Sequence, residues 1–545
     1  MRHRASLVWI ICLLIALPTW SSDLLPVPKP TTAQQTMALN TLASQFDKTV
    51  FFQPTLDRHM LPSAVGQSNS WSSTLLSPDL IDALRSQMRM ARPMNKRVKA
   101  QLNWYKRHPA YLKRTFERGR PFLYLIFERI KREGLPAEMT LLPIVESAFD
   151  PFAYSHGRAS GIWQFIPGTS RRFGLKLNWW YDGRRDVLRA TDAAIAYLKY
   201  LHNLFDGDWL LALAAYNSGE GNVLRAIRKN KRRGKPTDFW ALDLPRETEA
   251  YVPKLIALSE LVANAHHYNI ALPHIPNQPL LTRVQTGGQI DLALAAQLAG
   301  ISINDIYRYN PAFNRWATDP DGPHELLLPI EKAELFEKKL AMLPPGKRIQ
   351  WVRYRIQNGD SLNKLAKRFH TTVDLIKKVN RIRGGIIRAG DYLMIPKATR
   401  SLDAYRLSKD ARLARLRATP KAKHKLIHRV APGESFWTIS RRYKVGMREL
   451  ARWNGMAPTD PLRAGTSLVI WKDSAANVTT ALNANQRTRK IRYRVRRGDS
   501  LAKISQKFRV SVKQLIRWNQ LHGQKYLQPG QTLTLFVDVT RQSGI

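Results

Sequence analysis

The sequence predicts a multidomain protein in which an α-rich domain precedes a series of small βααβ modules. Three observations carry this. The chain has 545 residues, more than a single hydrophobic core organises. Residues 96–270 repeat their apolar positions at helical intervals and almost never alternate as strands do. The last 190 residues repeat one motif at constant spacing.

Arg2, His3 and Arg4 precede eleven apolar residues, Leu7–Leu17, and then Pro18, Thr19, Ser21 and Ser22. This order is that of a secretory signal peptide over residues 1–22, and the run is too short to span a bilayer as a mature helix. The chain is therefore expected outside the inner membrane, in the periplasm or cell envelope. If the segment is retained uncleaved, it becomes a membrane anchor. The only cysteine, Cys12, lies inside the run. The mature chain is expected to have no disulfide and no cysteine-based metal site.

Residues 23–95, rich in Pro, Ser, Thr and Gln, read as a linker followed by a short helix around Leu80–Met90. Amphipathic runs follow at Pro121–Arg132, ending at Gly134, then at Asp192–Phe205 and Trp209–Tyr216. They define an α-rich domain over 96–270.

Gly359-Asp360-Ser361, Gly433-Glu434-Ser435 and Gly498-Asp499-Ser500 each stand 20 residues, acid to amide, before Asn380, Asn454 and Asn519. A further glycine follows at Gly390, Gly465 and Gly530. Each copy opens on a strand-like alternation and continues as a helical stripe, such as Leu362, Leu365, Ala366 and Phe369. A second short helix and a closing strand complete a βααβ unit. The copies occupy 353–397, 428–472 and 492–538. A degraded fourth copy occupies 280–330, with Leu292, Ala295, Ala296, Ile303, Ile306 and Tyr309 on core positions ahead of Asn310. Residues 398–427, with nine Lys or Arg from 400 onward, and 473–491 read as linkers, the basic one alternatively as a solvated helix from Arg400 to Arg417.

These repeats resemble the LysM domain. The resemblance implies binding of N-acetylglucosamine-containing glycans in a shallow groove between the first strand–helix loop and the second helix–strand loop. It marks the three Gly-acid-Ser openings and Asn380, Asn454 and Asn519 as glycan-binding positions. The fourth copy has lost the opening and is expected to be a spacer without sugar binding.

The chemistry concentrates around Glu146, within Leu141-Leu142-Pro143-Ile144-Val145-Glu146-Ser147-Ala148-Phe149. A carboxyl packed among apolar residues is desolvated and keeps its proton near neutral pH, as a general acid requires. A lone glutamate on a wet helix face is the plainer reading, but further segments join it. Gly161-Ile162-Trp163-Gln164-Phe165 offers a sugar-binding wall, although Trp163 and Phe165 also suit a core. Ala215-Tyr216-Asn217-Ser218-Gly219 ends an apolar helix, and Glu247-Thr248-Glu249-Ala250-Tyr251 begins another.

With Trp180–Val187 and Phe205–Leu211 between them, these segments resemble the lytic transglycosylases whose catalytic domain is goose-type-lysozyme-like. That resemblance covers about 100–270 and makes the expected architecture an α-rich lysozyme-like catalytic domain followed by LysM modules. It implies that Glu146 is the acid/base, that Ser147, Gln164, Tyr216, Asn217 and Tyr251 bind the saccharide, and that peptidoglycan glycan strands are the partner. It implies no metal or other cofactor. One carboxylate acting alone would form a 1,6-anhydro ring rather than add water. Asp150, four residues after Glu146, leaves a two-carboxylate hydrolase as the alternative, and a non-catalytic wall-binding scaffold is a second. A lipoprotein form would need small residues before its cysteine, whereas Trp9-Ile10-Ile11 precede Cys12. On this reading, deleting 354–537 weakens wall binding and leaves cleavage intact.

The formal net charge of +46 favours polyanions, among them nucleic acid, anionic lipid and acidic envelope polymers. Nucleic acid is not expected as a partner, because the tryptophans of the basic-aromatic pairs Arg452-Trp453 and Arg517-Trp518 fall on the repeat's core position.

Overall fold

The computed structural model describes residues 77–473, 488–508, 510–521 and 527–538. The expected signal peptide, most of the N-terminal linker and residues 474–487 of the 473–491 linker lie outside these residues. Among the described residues no helix is long and apolar enough to cross a membrane.

The α-rich domain is built around the helix Trp209–Ser218. Its Leu211, Ala212, Leu213, Ala214 and Ala215 are all buried, so it is apolar on every side and runs through the interior. Asp208 caps it by accepting from Leu210 N and Leu211 N. The helices Val187–Leu204, Glu220–Lys231 and Arg246–Ala263 pack around it. The helix expected from Pro121 in fact runs Pro109–Arg132, with Pro121 in its interior. Leu112, Phe116 and Gly119 continue its buried face ahead of the proline, and Pro121 borders a hollow. Leu80, Ile81 and Leu84 of the helix Leu80–Ser86 lie in the same core, so the domain begins before residue 96.

Four βααβ modules follow, each closed by a two-stranded antiparallel sheet. Strand β1 (Leu281–Gln285) pairs with β2 (Glu325–Pro329), and β3 (Gln350–Arg355) with β4 (Tyr392–Lys397). Likewise β5 (His424–Arg429) pairs with β6 (Ser467–Lys472), and β7 (Thr488–Arg494) with β8 (Thr532–Asp538).

The repeat's asparagine is a clasp. Asn454 Nδ2 donates to Leu450 O and Val469 O, and its Oδ1 accepts from Val469 N, tying the second helix to the closing strand. Asn380 does the same with Met394, and Asn519 with Thr534. Asn310 does so with Leu327, so the degraded copy has the full module fold.

The acids of the Gly-acid-Ser openings also bond within their own modules. Asp360 accepts from Tyr354 OH and Gln357 N, Asp499 from Tyr493 OH and Arg496 N, and Glu434 from Ala431 N beside His428. Ser361, Ser435 and Ser500 cap the first helix of their modules. Gly359, Gly433 and Gly498 turn the loop at φ of 79°, 83° and 86°. The acid, serine and asparagine side chains thus bond within their own modules and shape the loops.

The segment expected to be a basic linker is largely a packed strap. Tyr405, 1% exposed, donates to the Asp291 carboxylate at 2.9 Å, and Thr399 N reaches the same group at 2.8 Å. The helix Lys409–Ala418 docks through Lys409 N to Asn314 O and Arg315 to Asp410. Arg412 lies over the Phe152 ring, 4.1 Å from its centre. Composition alone reads nine cations as solvated, but the interspersed Tyr405, Leu407 and Ala404 are enough to seat the strap.

Candidate active site

The short helix Leu142–Ser147 delivers Glu146 on its last turn. It stops through a double reversal: Ala148 N bonds Ile144 O, Phe149 N bonds Pro143 O, and both residues are left-handed, at φ 51° and 55°. The Phe149 ring occupies the space a side chain at Gly119 would need, since a Cβ there would lie 2.8 Å from it. This packing holds two non-glycine residues in a strained conformation directly after the catalytic candidate.

Glu146 is half-buried at the base of a cleft of about 460 Å³. Desolvation pushes its carboxyl up from 4.5 to about 7, reinforced by the charge of Glu247; the hydrogen bond from Tyr251 and the charge of Lys254 oppose this more weakly. Tyr251 OH donates to Glu146 Oε1 at 2.5 Å. Burial, and next the Glu146 charge, raise the Tyr251 phenol well above its usual range, so it remains a donor.

Three walls surround the carboxyl. Ser155, His156, Gly157 and Ala159 form the first, at the tip of a hairpin. The second is Gln164 to Thr169. Gln164 is left-handed at φ 49°, and its Nε2 donates to Gly161 O at 2.7 Å, so its Oε1 is the group left for a ligand. Gly161 admits no side chain here: a Cβ would lie 1.9 Å from Arg184 O. The third wall carries Tyr216, Asn217, Ser218, Gly219 and Glu247. Thr248 donates to Asn217 Oδ1 at 2.8 Å, which leaves the Asn217 amide N–H groups for the cleft. Tyr216 OH donates to Trp163 O at 2.9 Å.

Glu146, Gln164, Tyr216 and Asn217 therefore meet in one cleft, with Tyr251 beneath Glu146. Ser147 does not face it: its hydroxyl lies 3.1 Å from Pro143 O and 3.0 Å from Ile162 O, bracing the Gly161–Gln164 turn against the glutamate's helix. Trp163 is fully buried and donates to Thr191, and Phe165 is buried in the same core while also bordering the cleft. Asp150 does not share the face of Glu146. The reversal at Ala148 and Phe149 sends it to another hollow, of about 680 Å³, bounded by Arg118, Phe122, Arg308 and Arg415. That hollow is larger, but it contains neither Glu146 nor the residues gathered around it.

Sequence reasoning missed three contributors. Tyr197 lines the cleft and packs against Tyr216 with ring centres 5.3 Å apart. Glu247 supplies the cleft's second carboxylate. His156 and its hairpin carry no motif that would single them out.

Residues 124–239 match the family model described as the Transglycosylase SLT domain. Residues 281–344 match the LysM-like domain of lytic transglycosylase MltD, and 354–396, 428–471 and 493–536 match the LysM domain. The chain is 35% identical over 414 residues to the membrane-bound lytic murein transglycosylase D of Escherichia coli (strain K12), covering 73% of this chain and 87% of that protein. It is 47% identical over 122 residues to a putative tributyltin chloride resistance protein of Alteromonas sp. (strain M-1), covering 22% of this chain and 59% of that one. Among solved structures it matches the 70 kDa soluble lytic transglycosylase of Escherichia coli at 20% identity and a TM-score of 0.23, over 34% of this chain and 32% of that one. With an SLT domain, four βααβ modules and identity extending through both, the chain belongs to the lytic murein transglycosylase D family.

Proposed function

We propose that this chain cuts peptidoglycan glycan strands by lytic transglycosylation, with Glu146 as the single acid/base and the LysM modules holding the wall. The observation that carries this is a carboxyl raised to about 7 at the base of a cleft, bonded to a phenol that keeps its proton. Glu146 gives its proton to the oxygen bridging N-acetylmuramic acid and N-acetylglucosamine, and the C1–oxygen bond breaks. The resulting carboxylate, steadied by Tyr251, takes the proton of the muramic acid's C6 hydroxyl as that oxygen bonds C1. The products are a 1,6-anhydro end and a free 4-hydroxyl end, with Glu146 protonated again.

Gln164 Oε1 and the Asn217 amide flank the carboxyl as saccharide ligands, while Ser147 and Tyr251 act by holding their neighbours. In the LysM modules, glycan contacts fall to the loops that the Gly-acid-Ser and Asn residues shape. The spacer is assigned no sugar, since its opening loop is covered by Tyr405 and Thr399. Residues 1–22 direct export to the envelope, where the +46 charge favours anionic polymers.

Glu247 gives the hydrolase alternative a concrete second carboxylate in place of Asp150. Mass spectrometry of purified peptidoglycan digested by wild type, Glu146→Gln and Glu247→Gln decides between them. Anhydro ends from wild type and Glu247→Gln, and none from Glu146→Gln, are expected. Reducing muramic acid ends would show a hydrolase, and undiminished cleavage by Glu146→Gln would remove the assignment of the acid/base.

A further inference from the structure

We propose that Asp460, in the second LysM module, is a positioning residue for the catalytic cleft, fixing the hairpin that forms the cleft's first wall. The hairpin is internally knit: Ser155 N bonds Ala159 O at 2.9 Å, and Ser155 Oγ accepts from Gly157 N and Ala159 N. Its stem is fixed by pairing of Tyr154 with Ser160 and of Ser160 with Phe165, and by Arg184 Nη1 donating to Arg158 O at 2.7 Å. The inner side of its tip, Ser155 to Gly157, faces the cleft.

Its outer side is held from more than 300 residues away in sequence. Arg158 Nε lies 2.6 Å from Asp460 Oδ1, and Tyr154 OH donates to Asp460 Oδ2 at 3.1 Å. Asp460 is itself anchored. Its Oδ2 accepts from Ala457 N at 2.8 Å, its own N–H bonds Ala457 O, and its side chain is 12% exposed. Arg158 is left-handed at φ 69°, a conformation that needs outside contacts to persist in a non-glycine residue. One carboxylate thus bridges two outward side chains of a hairpin whose inward residues line the cleft. A charged pair of this kind, with its arginine partly exposed, shifts the ordered fraction of such a lip by up to about five-fold. Deleting 354–537 removes this contact, so cleavage is not independent of the repeats.

The inference rests on the cleft of Glu146 being where the glycan is cut. The test uses the full chain and a soluble peptidoglycan tetrasaccharide, too short to span the cleft and a LysM groove together. Asp460→Asn keeps an acceptor for Ala457 N and removes the charge, and Arg158→Gln removes the partner without touching the module. Each is expected to lower kcat/KM by roughly five-fold, the double substitution no further, and Asp460→Glu is expected to recover part of the loss. Full activity of Asp460→Asn, or losses that multiply in the double variant, would overturn the proposal. Glu146→Gln is run in parallel: if it cleaves, the functional reading fails on its own account, whatever Asp460 does.

Discussion

Replacing Glu146 by Gln is expected to stabilise the protein, and to do so only at the alkaline end of the pH range. The folded carboxyl is raised to about 7 from an ordinary 4.5. Below pH 4.5 it is protonated whether the chain is folded or unfolded, and it contributes no difference. Between 4.5 and 7 the folded state binds more protons than the unfolded state, so stability falls as pH rises, and above 7 the full cost of the desolvated carboxylate is present. The interval from 4.5 to about 7 corresponds to about 3 kcal/mol. Glu146 borders an open cleft, and solvent there reduces the cost to about 2 kcal/mol. Gln has the same shape, still accepts from Tyr251 and carries no charge. For a domain of this size, 2 kcal/mol moves Tm by roughly 4–8 °C. Thermal unfolding of both proteins at pH 4.5 and pH 8 should therefore show coincident curves at the lower pH and a variant more stable by that margin at the higher. An equal difference at both pH values would show that the carboxyl is not desolvated, and would remove the physical basis for its role as an acid.

The neighbours of Glu146 should move its titration in opposite directions. Tyr251→Phe removes the bond that favours the carboxylate, so the alkaline limb of kcat/KM moves to higher pH, and Glu247→Gln removes a like charge, so it moves to lower pH. Displacement of both limbs the same way would contradict the electrostatics described. In the second LysM module, Asn454→Ala breaks three hydrogen bonds of a fully buried amide and should cost about 3 kcal/mol. Hydrogen exchange at the Val469 amide reads this directly; retained protection would mean that the clasp is not what closes the module.

Much of this protein is local in origin and therefore legible in sequence. Helical periodicity, capping residues and the 20-residue spacing report which face of each element is apolar and where it ends, and such information does not depend on distant residues. That is why the α-rich domain, the three modules and the degraded fourth copy could be placed, whereas Glu146, Gln164, Tyr216, Asn217 and Tyr251 were marked as site residues by the family resemblance. The family resemblance supplied their roles; the apolar setting of Glu146 supplied only the expectation of a raised pKa.

What the sequence could not settle was decided by chain reversals and by contacts between segments far apart in the chain. Asp150 is four residues from Glu146, and only the left-handed pair at Ala148 and Phe149, made possible by the missing side chain at Gly119, turns it away. Ser147 and the signature asparagines carry polar groups that suit a ligand. Whether they face a ligand or a carbonyl depends on where Ile162 or Val469 comes to lie. The strap at 398–419 and the Asp460 bridge join residues separated by 100 to 300 positions. Periodicity describes the face an element presents, while the partner that covers it is chosen only when the whole chain packs.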